Sequence, residues 1–303
     1  MSVEIARGVG PGGIDIAYER FGEPNLPPVL LLMGLGTQML GWPDGFCDAL
    51  VARDVHVIRA DNRDIGLSTH LTDAPAPDLA AIFRGDTASA SYTLSDMAGD
   101  TVGLLDALDL DSAHLVGASM GGMIAQTVAI EHPHRVRSLT SIMSTTGDPS
   151  VGQSTRKAMA ALLSPPATTR QEAIERTVSI LRVIGSPGFE LDEADVRWRT
   201  GVAYDRGHDP VGVARQLAAI AASGDRTSAL RSVSVPTLVL HGADDPLVNV
   251  SGGRATAEAI PGAEFVEFAG MGHHLSRELW GEIARHIGEH VARVEAGRRV
   301  TRP

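Results

Sequence analysis

Leu115–Ala125 reads LVGASMGGMIA. One hydroxyl, Ser119, stands between Gly117 and Gly121, with Ala118 and Gly122 adding further small residues around it. The apolar run before it, "AHLVGAS", has the length and composition of a buried strand, and "MIAQTVAIEH" after it reads as a helix. A chain that passes from strand to helix at one residue forces that residue into strained dihedrals, and bulky neighbours would collide. Glycine two before and two after removes the collision. This is the G-x-S-x-G pattern of a nucleophile elbow. It lifts the hydroxyl above the carboxyl edge of a sheet, at a helix N-terminus where free N–H groups and a partial positive charge gather.

Outward from Ser119, short apolar runs alternate with longer amphipathic ones. Val29–Gly34, Val55–Asp61, Ala113–Ser119, Ser138–Met143, Thr237–Gly242 and Glu264–Gly270 read as strands. Most are apolar nearly throughout, as parallel strands covered on both faces must be. Leu40–Arg53, Leu94–Leu108, Gly121–His132, Gly252–Ala259 and Arg277–Val294 read as helices, and "IDIAYERFG" (Ile14–Gly22) as an antiparallel edge strand. This alternation predicts an α/β fold with a mostly parallel, doubly wound sheet. From Asp148 to Leu230 only helical patterns are visible, too long for an ordinary connection. The expected organisation is a core of residues 1–147 and 231–296, an inserted helical domain of 148–230 and a disordered tail of 297–303.

Composition narrows the function classes. A formal net charge of -11 argues against nucleic acid or an anionic membrane as partner. The single cysteine, Cys47, rules out an intramolecular disulfide and a cysteine metal cluster, and its amphipathic setting predicts a buried helix residue. The N-terminal stretch lacks the basic-then-apolar order of a signal peptide, and no run approaches the ~18–20 apolar residues of a membrane span. A cytoplasmic protein with no metal and no cofactor is expected; its oligomeric state is left open.

A serine hydroxyl is a weak nucleophile until a base removes its proton, and that base needs a carboxylate to fix its tautomer. In this kind of elbow the acid and then the histidine follow in chain order. "TLVLHGADDPLV" (Thr237–Val248) ends a strand and offers Asp244 and Asp245. Asp245, held in a turn by Pro246, is the expected acid; Asp244 is the alternative, otherwise a turn or capping residue. "GMGHH" (Gly270–His274) supplies His273 as the expected base, with His274 packing on the next helix or facing solvent. His241 reads as structural. Two backbone N–H groups are expected to receive a developing oxyanion. One is that of Met120, after the serine. The other is that of Leu35, in the glycine-rich loop "MGLGTQMLGW".

Together "GASMGG", "HGADDP" and "GMGHH" resemble the nucleophile, acid and base motifs of the α/β-hydrolase fold, over nearly the whole chain. "DNRDIGLS" (Asp61–Ser68) resembles the family's D-x-R-G-x-G-x-S turn, with Asp64 in place of its first glycine. With "GWPDGF" and "HVIRADNRDIGLST", the chain is similar to bacterial esterases of the aclacinomycin methylesterase type, which share that aspartate. Met33-Gly34 stands where the family usually has His-Gly. The resemblance implies hydrolysis of a small-molecule carboxylic ester, and it makes the helical insertion a cap that shapes the substrate pocket. Trp42, Met123, Met143, Phe189 and Trp198 are the candidates to line that pocket. A perhydrolase or a carbon–carbon bond hydrolase would use the same three side chains, and a non-catalytic small-molecule receptor would use the fold alone.

Overall fold

The computed structural model describes residues 2–301. Its strands are β1 (Glu4–Val9), β2 (Ile14–Phe21), β3 (Pro28–Leu32), β4 (His56–Ala60), β5 (Ala113–Ala118), β6 (Val136–Ile142), β7 (Thr237–Gly242) and β8 (Glu264–Phe268). They form one sheet in the order β1-β2-β4-β3-β5-β6-β7-β8. The β1–β2 and β2–β4 pairs are antiparallel and the other pairs are parallel. The helices of the sheet layer are α1 (Asp44–Val51), α2 (Leu79–Ile82), α3 (Leu94–Ala107) and α4 (Met120–Glu131). Between β6 and β7 come α5 (Arg156–Leu162), α6 (Arg170–Ile184), α7 (Glu193–Arg206), α8 (Pro210–Ser223) and α9 (Thr227–Leu230). The chain finishes with α10 (Ser251–Ala259) before β8 and α11 (Trp280–Thr301) after it.

The sheet is apolar on both faces because alternate side chains of each strand feed different layers. Leu30 and Leu32 of β3, with Leu115 of β5, join a cluster that includes Leu104 and Leu105 of α3 and Ile124 and Val128 of α4. Val29 and Leu31, with Val116, join a second cluster built on Phe46 and Leu50 of α1 and Ile283 and Ile287 of α11.

Three sequence expectations are corrected. "IDIAYERF" is antiparallel but internal, because β1 takes the edge. Glu4–Val9 is short and half polar, so it carries little strand signal, and its Arg20–Glu4 pairing suits a solvated edge. Leu40–Arg53 is not one helix. Met39–Gly41 forms a 3-10 turn, Pro43 is extended, and α1 starts at Asp44. The disordered tail gives way to helix, since α11 runs on to Thr301. Glu295 anchors it to His114 and Arg137, and Arg298 and Arg299 in its last turn complement the helix dipole. Residues 302 and 303 lie outside the described residues.

Asp64, the residue that replaces a family glycine, has φ 64°, the left-handed region that glycine adopts without strain. Its carboxylate is fully buried and forms a two-point ion pair with Arg215 of α8, Nε–Oδ2 2.8 Å and Nη2–Oδ1 2.7 Å. The Tyr92 hydroxyl and the Leu71 N–H also donate to it, each at 2.8 Å. The pair pins the helical insertion to the loop after β4. Arg215→Met is expected to lower stability by about 3–5 kcal/mol in chemical denaturation, because it strands a buried carboxylate. Asp64→Gly is expected to destabilise as well: relief of left-handed backbone is worth at most about 1–2 kcal/mol, less than the cost of an orphaned Arg215. Unchanged denaturation midpoints in both variants would refute the pin.

Candidate active site

Ser119 sits at the sheet's carboxyl edge with φ 55° and ψ −119°, a conformation that side chains rarely adopt. The small neighbours permit it. A Cβ on Gly117 would lie 2.1 Å from Gly121 O. One on Gly121 would lie 2.0 Å from Leu32 O, so this glycine is required by contact with β3 rather than with Gly117. The Ser119 N–H donates to Ile142 O at 2.9 Å, and Ser144 Oγ donates to Ser119 O at 2.8 Å. The strained turn is thus held on both sides, by the last residue of β6 and by the loop that follows it.

Three side chains from separate loops meet here. His273 Nε2 lies 3.0 Å from Ser119 Oγ, and His273 Nδ1 lies 2.7 Å from Asp245 Oδ2. Asp245 is buried, and its Oδ1 accepts the N–H groups of Leu247 and Val248, both at 2.8 Å. Its carboxylate is therefore fixed by its own turn on one oxygen and free for the imidazole on the other. With Nδ1–H donated to Asp245, the Nε2 lone pair faces the serine hydroxyl. His241, expected to be structural, is fully buried under this turn and donates Nε2–H to Val248 O at 2.8 Å. Burial holds its pKa below the usual histidine value. Asp244 points elsewhere: its Oδ2 accepts the Gly270 N–H at 2.8 Å, on the loop after β8.

The histidine loop is held by the insertion. The His273 N–H donates to Ile184 O, the last carbonyl of α6, at 2.7 Å. Ser186 Oγ accepts the Gly272 N–H at 3.1 Å and donates to His274 O at 3.0 Å. Sequence reading missed Ser186, and no local pattern could have found it, because its partners lie more than 80 residues away. His274 is half-buried; burial, with the Arg199 cation adding to it, pushes its imidazole down to about 4.

Gly34 lies against the serine: a Cβ there would be 3.1 Å from Ser119 Cβ. Among the described residues, the N–H groups of Leu35 and Met120 donate to no protein acceptor. They are two open donors beside Ser119, one on the loop after β3 and one at the first residue of α4.

The pocket candidates separate. Trp42 is fully buried and stacks on Phe46, ring centroids 5.4 Å apart. Met123 and Met143 are also in the core, and Phe189 packs half-buried against it. Trp198 is 66% exposed, unlike the other four candidates. It lies on the polar helix α7, where period alone does not tell a pocket-facing side from a solvent side. Cys47 is buried, and burial pushes its thiol up to about 12, so it offers no competing nucleophile. Asp64, His70 and Asp209 have the spacing of a metal cluster. However, the Arg215 guanidinium lies 2.7 Å from Asp64 and 3.4 Å from Asp209, and both His70 nitrogens are engaged, so these donors do not suit a cation.

A family model described as the α/β hydrolase fold matches residues 27–278. The chain belongs to the α/β-hydrolase family. This hydrolase is 31% identical over 301 residues, covering 91% of its own chain and 95% of the relative, to the rhodomycin D methylesterase DnrP of Streptomyces peucetius. It is similar to the solved esterase RhEst1 of Rhodococcus sp. ECU1013, with a TM-score of 0.70, 25% identity and coverage of 97% and 99% of the two chains. It is likewise similar to the enol-lactonase of Burkholderia xenovorans LB400, with a TM-score of 0.68, 25% identity and coverage of 95% and 98%. As a member of this superfamily the chain is an enzyme of the hydrolase class. No helix among its described residues is long and apolar enough to cross a membrane.

Proposed function

We propose that the protein is a serine carboxylic ester hydrolase acting through an acyl-enzyme on a small or medium apolar ester, methyl esters included. The observation that carries this reading is His273 bridging Ser119 and a buried Asp245, beside two open N–H groups. Ser119 Oγ attacks the ester carbonyl carbon as His273 Nε2 takes its proton, and Asp245 holds the resulting imidazolium. The N–H groups of Leu35 and Met120 receive the oxyanion. When the tetrahedral intermediate collapses, the carbon–oxygen bond to the alcohol breaks and His273 returns the proton to the departing oxygen. Water, deprotonated by His273, then attacks the acyl carbon, and Ser119 leaves with the proton. The products are a carboxylic acid and an alcohol.

The similarity to a methylesterase supports the methyl-ester class, and the helices α5–α9 over the sheet edge serve as the substrate cap. The test is a panel of methyl esters and of p-nitrophenyl esters of graded acyl length, with intact-mass detection of an acyl adduct on Ser119. Turnover with a transient adduct is expected. No turnover of any ester and no adduct would refute the reading. Turnover confined to β-diketone-type substrates would reassign the same side chains to carbon–carbon bond hydrolysis.

A further inference from the structure

The loop that carries the Leu35 N–H follows β3, yet its anchors come from the insertion. The Gly36 N–H, next in the chain, donates to Gln216 Oε1 at 2.9 Å. Gln216 lies on α8, is fully buried, and donates its Nε2 to Arg63 O at 2.8 Å. Val213 of the same helix fills the space beside Gly36, where a Cβ would lie 3.0 Å from Val213 Cγ1. Gln38, also buried, donates to Ala203 O at 2.6 Å and Gly207 O at 3.0 Å, and it accepts from Arg206 Nε at 2.9 Å. Among the described residues, every hydrogen bond from residues 34–38 that leaves the immediate neighbourhood reaches α7, α8 or Gly207 between them. The sheet core holds only the two ends: Asn62 donates to Met33 O at 2.9 Å, and Asp61 accepts the Met39 N–H at 2.7 Å.

We propose that Gln216 is a positioning residue: it fixes the Leu35–Gly36 peptide, and so sets where the Leu35 N–H points. The seating of the cap is thereby coupled to stabilisation of the oxyanion. The inference rests on the Ser119 reaction proposed above. The physics is that of reach. An oxyanion donor works within a window of ~2.7–3.1 Å, and a buried amide with both ends bonded leaves its partner little freedom. An apolar side chain at 216 would free the Gly36 N–H and let the loop settle elsewhere.

The test uses Gln216→Met and Gln216→Glu, with kcat and KM for p-nitrophenyl butyrate per active site titrated by a fluorophosphonate, and thermal melts alongside. Gln216→Met is expected to lower kcat per titrated site by about 10²-fold, with KM little changed, as for a loss felt at the transition state. Gln216→Glu keeps the acceptor for the Gly36 N–H and loses only the donor to Arg63 O. It is expected to recover most of kcat while sharing any loss of melting temperature. If Gln216→Met does not fold, Gln216→Asn, an amide one methylene shorter, is read in its place with the same expectation. Lower melting temperatures with wild-type kcat per titrated site would overturn the inference, and so would a rise in KM at unchanged kcat. A wild-type protein that is neither labelled at Ser119 nor active on any ester would instead remove the proposed reaction, and the inference with it.

Discussion

Ser119→Ala is expected to lower ester turnover by roughly 10⁴–10⁶-fold and to abolish fluorophosphonate labelling. Only an activated hydroxyl attacks phosphorus, and Ser119 Oγ lies within reach of a histidine already paired to a carboxylate. Ser138 Oγ also meets such a histidine, His114 beside Glu295, but both are buried away from a probe. Alanine keeps the open N–H groups of Leu35 and Met120, so the residual rate should stay above that in water. Folding should survive. The lost hydroxyl bonds only His273, and the turn itself is held by Ile142 O and Ser144. The measurement is labelling and kcat for both proteins, with a melt as control. Equal labelling of the alanine variant would end the assignment of Ser119 as nucleophile.

The adjacent aspartates should separate as sharply. Asp245→Asn is expected to cost up to ~10⁴-fold in kcat in a folded protein. Its single carbonyl oxygen will stay with the Leu247 and Val248 N–H groups, which bond one carboxylate oxygen now. The new NH₂ then faces His273 Nδ1 and donates to it. The imidazole must carry its proton on Nε2, where it confronts the serine hydroxyl and accepts nothing. Asp244→Asn retains an acceptor for the Gly270 N–H, so kcat should change only a few-fold, in line with a group worth about 1 kcal/mol in a hydrogen bond. A larger loss of kcat in folded Asp244→Asn than in Asp245→Asn would move the acid role to Asp244.

What could be read from the sequence follows how local each constraint is. The elbow is legible because the glycines that permit it stand two residues from Ser119. Strands β3 to β7 are legible because burial on both faces makes them largely apolar, while β8, at the sheet edge, keeps an apolar centre between exposed Glu264 and Glu267. The preference for Asp245 was readable in part, since its Oδ1 closes a turn over the next residues, as an aspartate before proline commonly does. The role of Asp244 was not, because its partner is 26 residues away. Strand β1 escaped because an edge strand need not be apolar. Trp198 gave no indication of its exposure because a large apolar residue carries no mark of which side of its helix it occupies. Gln216 gave no signal at all: its partner Gly36 is 180 residues distant, and a glutamine on a helix is ordinary.

The insertion enters and leaves the chain between two neighbouring strands, which gives it the look of a detachable part. Its contacts say otherwise. It bonds Gly36 after β3, Asp64 after β4 and His273 after β8. A chimera that spliced a relative's insertion in at residues 148 and 230 would leave Asp64 without its cation and two loops without their braces. Inheritance of a new substrate range in this lineage is therefore expected to proceed by single replacements on the pocket-facing side of α5–α7, with Asp64 and Arg215 exchanged only as a pair. Laboratory recombination should respect the same linkage, carrying the residues of both surfaces together rather than the insertion alone.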